Sequence, residues 1–173
     1  KLARLGGKVT LLLGPVNACC LDKRIRVVAF KLFEELRNKI KQELVSRKYD
    51  FIIHNAAVSD FAPALCKGKI VSGKSLSLKL KPLPKITGDI KRLAPQAKLA
   101  IFKLEAGVSD NILIKRAKVA QSESGADFVI ANRLTPYKAF IIAKNGNMVC
   151  ARTKENLAKQ LLIFFSRLKT HDS

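Results

Sequence analysis

Four short runs are almost continuously apolar: KVTLLL (Lys8–Leu13), DFIIHNAA (Asp50–Ala57), KLAIFK (Lys98–Lys103) and DFVIAN (Asp127–Asn132). A strand with one wet face alternates polar and apolar residues, whereas unbroken apolar runs suit strands covered on both faces. Longer amphipathic stretches separate these runs, and that alternation is the pattern of a layered α/β domain with a largely parallel sheet. At 173 residues, one domain spanning 1–173 is the simplest organisation, and it is long enough to bury a real core.

Local signals fill in the connections. Lys1–Leu5 reads as the last turn of a helix closed by Gly6-Gly7, because glycine is favoured just past a helix end. Apolar residues from Val27 to Leu44 approach a helical period, predicting a helix over Arg24–Arg47. SLSLKL (Ser75–Leu80) alternates strictly and predicts a half-exposed strand in a β excursion over about 68–81. A helix is expected over Lys85–Leu93, stopping before Pro95, and another over Asn111–Glu123 that Ser109 or Asp110 could cap. Ala139–Ala143 and Met148–Ala151, joined through Asn145-Gly146, predict a C-terminal hairpin with a type I′ turn, followed by a helix over about Thr153–Leu168.

Composition excludes several classes. The apolar runs are far shorter than the roughly 20 residues that span a bilayer, so no membrane association is expected and a cytoplasmic location follows by default. The four cysteines (Cys19, Cys20, Cys66, Cys150) form no C-x-x-C pair, and only two histidines exist, so neither a zinc site nor a disulfide framework is indicated. The net charge of +20 is the unusual number, with ten Lys/Arg against one acid between Lys67 and Lys103. Such a balance attracts anions, either phosphorylated ligands or nucleic acid, although a solvated lysine-rich face reads the same way.

The sheet strands end in polar residues, His54-Asn55, Glu105 and Asn132. Ligands of open α/β sheets sit outside those ends, so one crevice is expected there.

The residues around these ends resemble a known family. NAAVSDFAP (Asn55–Pro63) is similar to the A-A-V-[AS]-D-[YF]-x-P motif of phosphopantothenoylcysteine synthetases. VTLLLGPV (Val9–Val16), GKIVSGKSLSLKLKPLPKI (Gly68–Ile86), FKLEAGVS (Phe102–Ser109) and GADFVIAN (Gly125–Asn132) resemble the family's other motifs, in its order and with archaeal-like details. The resemblance implies a Rossmann-like three-layer domain and a ligase of coenzyme A biosynthesis. In that reaction 4′-phosphopantothenate attacks the α-phosphate of CTP or ATP, giving an acyl-nucleotidylate and pyrophosphate. The amine of L-cysteine then displaces the nucleotide monophosphate. A divalent cation, Mg²⁺ or Mn²⁺, accompanies the triphosphate.

Carried over by motif, Lys69 is the catalytic lysine at the triphosphate, and Asp60 is a catalytic and metal-holding carboxylate. Ala56, Ala57, Phe61, Lys85, Phe102 and Asn132 are nucleotide- or substrate-binding residues. A second family lysine is Val71 here, and Ile101 stands where glycine often precedes the family's Phe. The family opens with a strand, a G-G-T-x-E loop and an N-x-S-S-G segment. This chain begins beyond them, which implies an N-terminally truncated domain lacking a central strand and part of the site. The resemblance also implies a homodimer and a possible flavin-dependent decarboxylase domain upstream. The rival readings are an inactive or truncated homologue and a basic nucleic-acid-binding Rossmann-like module. A short-chain dehydrogenase is disfavoured, since no G-x-x-G-x-x-G opens the chain and Tyr137 is followed directly by Lys138.

Overall fold

The computed structural model of the chain describes residues 2–16, 22–64, 68, 73 and 75–169. A five-stranded sheet carries the fold, in the order β3-β6-β7-β8-β9. Its members are Phe51–His54 (β3), Lys98–Leu104 (β6), Phe128–Leu134 (β7), Tyr137–Ala143 (β8) and Met148–Ala151 (β9). β3, β6 and β7 run parallel, and the β7-β8-β9 meander is antiparallel. Three of the continuous apolar runs become β3, β6 and β7, and β6 and β7 are covered on both faces, whereas Ile53 of β3 is exposed. On one face lie Phe33–Ser46 (α1), Ile86–Leu93 (α2) and Asp110–Ser124 (α3), whose Leu36, Ile90 and Leu113 pack on Leu99, Val129 and Ile142. On the other lies Lys154–Lys169 (α4), whose Leu157, Leu161 and Phe165 pack on Phe128, Ile130 and Ile141. Each such fully buried aliphatic side chain contributes about 1.5–3 kcal/mol. This is the three-layer α/β arrangement expected from the sequence. Among the described residues no helix is long and apolar enough to cross a membrane.

A second, two-stranded parallel sheet pairs Val9–Leu13 (β1) with Ile25–Ala29 (β2). Here the expected Arg24–Arg47 helix is corrected: Ile25–Ala29 is a strand, and the helix begins only at Phe33. The β-branched residues of IRVVA pair with VTLLL residue for residue, and ladder pairing overrides the helical spacing. Gly14 gives a close approach where the chain leaves β1, since a Cβ there would meet the Phe30 ring at 3.1 Å and the ring would have to shift by a few tenths of an ångström.

β1 and β3 each pair on one side only, and no ladder joins them among the described residues. They face one another across a slot of about 710 Å³, walled by Leu11, Leu13, Ile52 and Ile53 and floored by Leu36 and Ile40 of α1. Tyr49 donates to Thr10 Oγ1 at 3.1 Å at one end of the slot, while Gly14–Val16 and Asn55–Val58 line the other. Both strands therefore run from the tyrosine end toward the C-terminal edge of the sheet.

Three further expectations are adjusted. Leu2–Leu5 is a 3-10 turn rather than the end of an α-helix, although Gly6 does take φ 82° after it. The SLSLKL strand shrinks to Leu80–Pro82 (β5), paired antiparallel with Phe61–Pro63 (β4). Residues 75–79 form no ladder, and Leu76, Leu78 and Leu80 are all more than half exposed. Alternation marks an apolar face, but a strand needs a neighbour, and the short β4 supplies only three residues. The remainder of the 68–81 excursion, apart from the two glycines, lies outside the described residues. The C-terminal hairpin forms, but its turn is not type I′, because no residue other than glycine has positive φ among the described residues. Gly146 N–H donates to Ala143 O at 2.9 Å, with Gly146 itself at φ 90°. That is a type I-like turn closed by a left-handed glycine.

Candidate active site

The parallel strands deliver their C-terminal ends to one crevice of about 750 Å³. Its wall runs from His54 to Asp60 after β3, through Ile101, Phe102 and Leu104 of β6, to Asn132 and Leu134 of β7. Pro84–Thr87, at the start of α2, forms the opposite lip. The two sides are tied by the backbone, with Leu83 N–H donating to Asp60 O at 2.8 Å. They are also tied by charge, with Lys85 Nζ 2.6 Å from Asp60 Oδ1. Both side chains of this pair are largely exposed, so it contributes at most about 1 kcal/mol to stability and can exchange partners.

The turn between β3 and β4 holds Asp60 at the mouth. Ser59 Oγ accepts from Phe61 N–H at 3.2 Å and donates to Phe61 O at 2.6 Å, a local side-chain turn that ends the run of small residues. Ala56 lines the crevice and also packs against the core beneath it, so its size serves both surfaces.

Asn132 closes the far wall. Its backbone O accepts from Glu105 N–H at 3.0 Å, and β6 and β8 flank it. Its Oδ1 is buried without a hydrogen-bond partner among the described residues. A buried acceptor left unpaired costs about 1–3 kcal/mol, so it needs a partner such as a water, an ion or a ligand. Phe102, half-buried, packs on the α4-side core and presents to the crevice beside it.

Of the residues singled out from sequence, the crevice brings together Ala56, Ala57, Asp60, Lys85, Phe102 and Asn132. Phe61 stands outside it, on the exposed side of β4. Lys69 lies outside the described residues, as do Cys19, Cys20, Cys66 and His171. Glu105, expected among the crevice-lining strand ends, points elsewhere and is bound by Arg116 at 2.7 Å and Lys103 at 3.3 Å. Burial pushes its carboxyl upward, but those two cations more than offset it and hold it below its ordinary value. Asp110 is likewise occupied by Lys138 and Arg133, and the Lys138 hydrogen bond lowers its pKa.

Sequence reasoning misses Thr87, Tyr137 and Lys154, which reach the crevice from α2, β8 and α4. None sits at the C-terminal end of a parallel strand, so no strand-end signal marks them. His54, a poor metal ligand by sequence, lines the crevice as well, and burial pushes its pKa below the ordinary value.

A family model described as the DNA/pantothenate metabolism flavoprotein C-terminal domain matches residues 1–163. The chain belongs to that family. It is 38% identical over 138 residues to the coenzyme A biosynthesis bifunctional protein CoaBC of Thermococcus kodakarensis, covering 74% of this chain and 34% of that protein. It is 35% identical over 115 residues to the phosphopantothenate–cysteine ligase of Mus musculus, covering 62% of this chain and 36% of that protein. The chain thus spans about a third of the length of these curated relatives. In fold it resembles the crystal structure of the DNA/pantothenate metabolism flavoprotein from Streptococcus pneumoniae, with TM-score 0.85 at 24% identity over 96% of this chain and 84% of that one.

Proposed function

We propose that this chain is the synthetase part of a phosphopantothenate–cysteine ligase, joining 4′-phosphopantothenate to L-cysteine at the expense of a nucleoside triphosphate, with CTP the expected nucleotide. The observation that carries the reading is the crevice itself. Residues from three separate family motifs, Asp60, Lys85 and Asn132 among them, share its walls, and one carries an acceptor with no partner among the described residues. Membership of the family supplies the reaction class.

The chemistry follows from the residue types. Displacement at the α-phosphorus builds negative charge, which fixed cations stabilise. Lys85 can release Asp60 and turn to the phosphates, and Lys69 supplies the second cation in this reading. Asn132 Oδ1 accepts a hydrogen bond from a ligand hydroxyl or amine, recovering the cost of its burial. Ala56 and Ala57 let the ligand approach the backbone, and Phe102 offers an apolar face.

A divalent cation fits as a companion of the triphosphate rather than as the occupant of a protein cage. Among the described residues no group of three or more His, Cys, Asp or Glu could hold a metal ion. Mg²⁺ commonly binds through one or two carboxylates plus substrate phosphates. Asp60 at the mouth meets that need and would hold it, and when bound the cation supplies charge neutralisation of the triphosphate.

Three assembly statements belong to the same reading. The slot between β1 and β3 is where the opening strand of the family would lie, since both flanking edges are unpaired among the described residues and parallel. The bifunctional relatives and their greater length support a fused second domain, which in this reading is a flavin-dependent decarboxylase. Phe61, Pro63, Leu80 and Pro82 face one another across the β4-β5 ladder, and Phe61 and Leu80, with Leu76 and Leu78 beyond, leave an exposed apolar surface. We infer that a second copy covers it in a homodimer.

Pyrophosphate release tests the reaction. Release from CTP that requires phosphopantothenate, and that disappears in Lys69→Gln without loss of fold, is the expected result. No release, or release indifferent to phosphopantothenate, rejects the reading in favour of an inactive homologue.

A further inference from the structure

His54 ends β3 at the junction of the two large cavities, lining both the crevice and the slot. Strand geometry turns it to the same face as Ile52, toward the side of the sheet that carries α1 and α2. Among the described residues its imidazole has no hydrogen-bond or ion-pair partner. A half-buried imidazole without a partner is costly to keep unless something in the cavity uses it.

The other titratable groups of the crevice are Asp60, Lys85, Glu123, Tyr137 and Lys154, and those of the slot are Glu43 and Tyr49. Asp60 is engaged by Lys85, and Glu43 by Arg26 and Tyr49. His54 stands apart from these as the imidazole at the end of β3 where the two cavities meet, and burial favours its neutral form.

We propose that His54 is a catalytic residue of the second half-reaction, the general base for the cysteine amine. This rests on the ligase reading above. The amine nitrogen forms a bond to the acyl carbon of the acyl-nucleotidylate, and the carbon–oxygen bond to the nucleotide phosphate breaks. That electron pair leaves with the nucleotide monophosphate. The proton shed by the nitrogen passes to the His54 imidazole, which becomes imidazolium and returns it to solvent. The first half-reaction, attack of a carboxylate on the α-phosphorus, releases no proton and has no use for this base.

The two half-reactions separate the role from mere packing. In His54→Gln, phosphopantothenate-dependent pyrophosphate release without cysteine should stay within about twofold, while cysteine-dependent release of nucleotide monophosphate falls about 10²–10⁴-fold. The acid limb of the second step should vanish in the variant, and added imidazole should restore part of the rate in His54→Ala. Equal loss in both steps, or an unchanged second step, overturns the role of His54 while leaving the ligase reading intact. Absence of pyrophosphate release from the unaltered chain overturns both. If His54→Gln melts early, the imidazole response of a folded His54→Ala decides, and no response rejects the proposal.

Discussion

Replacing Asn132 by leucine should separate what this residue does for the ligand from what it does for the fold. Leucine keeps nearly the same shape and removes the polar group whose Oδ1 is buried and unpartnered among the described residues. An unpaired buried acceptor costs about 1–3 kcal/mol, and an apolar replacement of equal shape removes that cost. Taking the low end, the free chain gains about 1 kcal/mol, which for a domain of this size raises Tm by roughly 2–4 °C. The backbone around the site is untouched, because the Glu105 N–H to Asn132 O bond and the flanking ladders do not involve the side chain. Affinity moves the other way. A hydrogen bond from a neutral ligand hydroxyl or amine contributes about 0.5–1.5 kcal/mol, so ligand binding should weaken roughly two- to tenfold. Thermal denaturation followed by circular dichroism reads the first effect, and titration calorimetry the second. A fall in Tm would mean that the amide is satisfied within the fold, and unchanged binding would mean that it faces no ligand. Either result refutes the reasoning.

Lys85→Met should leave stability within about 1 kcal/mol, since the Asp60 pair is largely exposed. Triphosphate binding should nonetheless weaken about tenfold or more if Lys85 turns to the phosphates, and calorimetry at two salt concentrations checks it. His54 should make the chain sensitive to acid. Its folded pKa lies below the ordinary value of about 6.5, so below that pH the unfolded state binds the extra proton and stability falls as pH drops. Urea midpoints compared between about pH 7 and pH 5 should decline more steeply in the unaltered chain than in His54→Gln, and parallel curves would refute the burial argument. Leu78→Lys places a charge on the exposed apolar surface beside β5 and should convert a dimer to a folded monomer whose Tm no longer depends on protein concentration. Light scattering that finds the unaltered chain monomeric at micromolar concentration would remove the dimer.

Much of the architecture is legible in the residues themselves. The unbroken apolar runs mark four strands, β1, β3, β6 and β7, and in β6 and β7 they do so because a doubly covered strand cannot carry regular polar positions. Ser109 caps α3 as its position suggests, accepting from Ile112 N–H at 3.5 Å, and α2 stops before Pro95. The site residues Asp60, Lys85 and Asn132 stand out through motif resemblance, and polar types at strand ends point to the crevice. Pairing is less legible. IRVVA satisfies a helical period in isolation and becomes β2 because β1 lies beside it, while SLSLKL keeps its alternation but joins only a three-residue ladder for want of a neighbour.

The difference is one of range. Burial pattern, capping residues and glycine positions act within a few residues, so they can be read along the chain, and they place the strands whose ends build the crevice. Which carboxylate is available to a ligand is a long-range matter. Glu105 is consumed by Arg116, and Asp110 by Lys138 and Arg133, whereas Asp60 is held by an exposed lysine 25 positions away. The same holds for the edges of β1 and β3 and for His54, each without a partner among the described residues where two cavities meet. Those features arise from how distant segments pack, because charge and hydrogen bonding are settled by whichever groups the fold brings within about 3 Å.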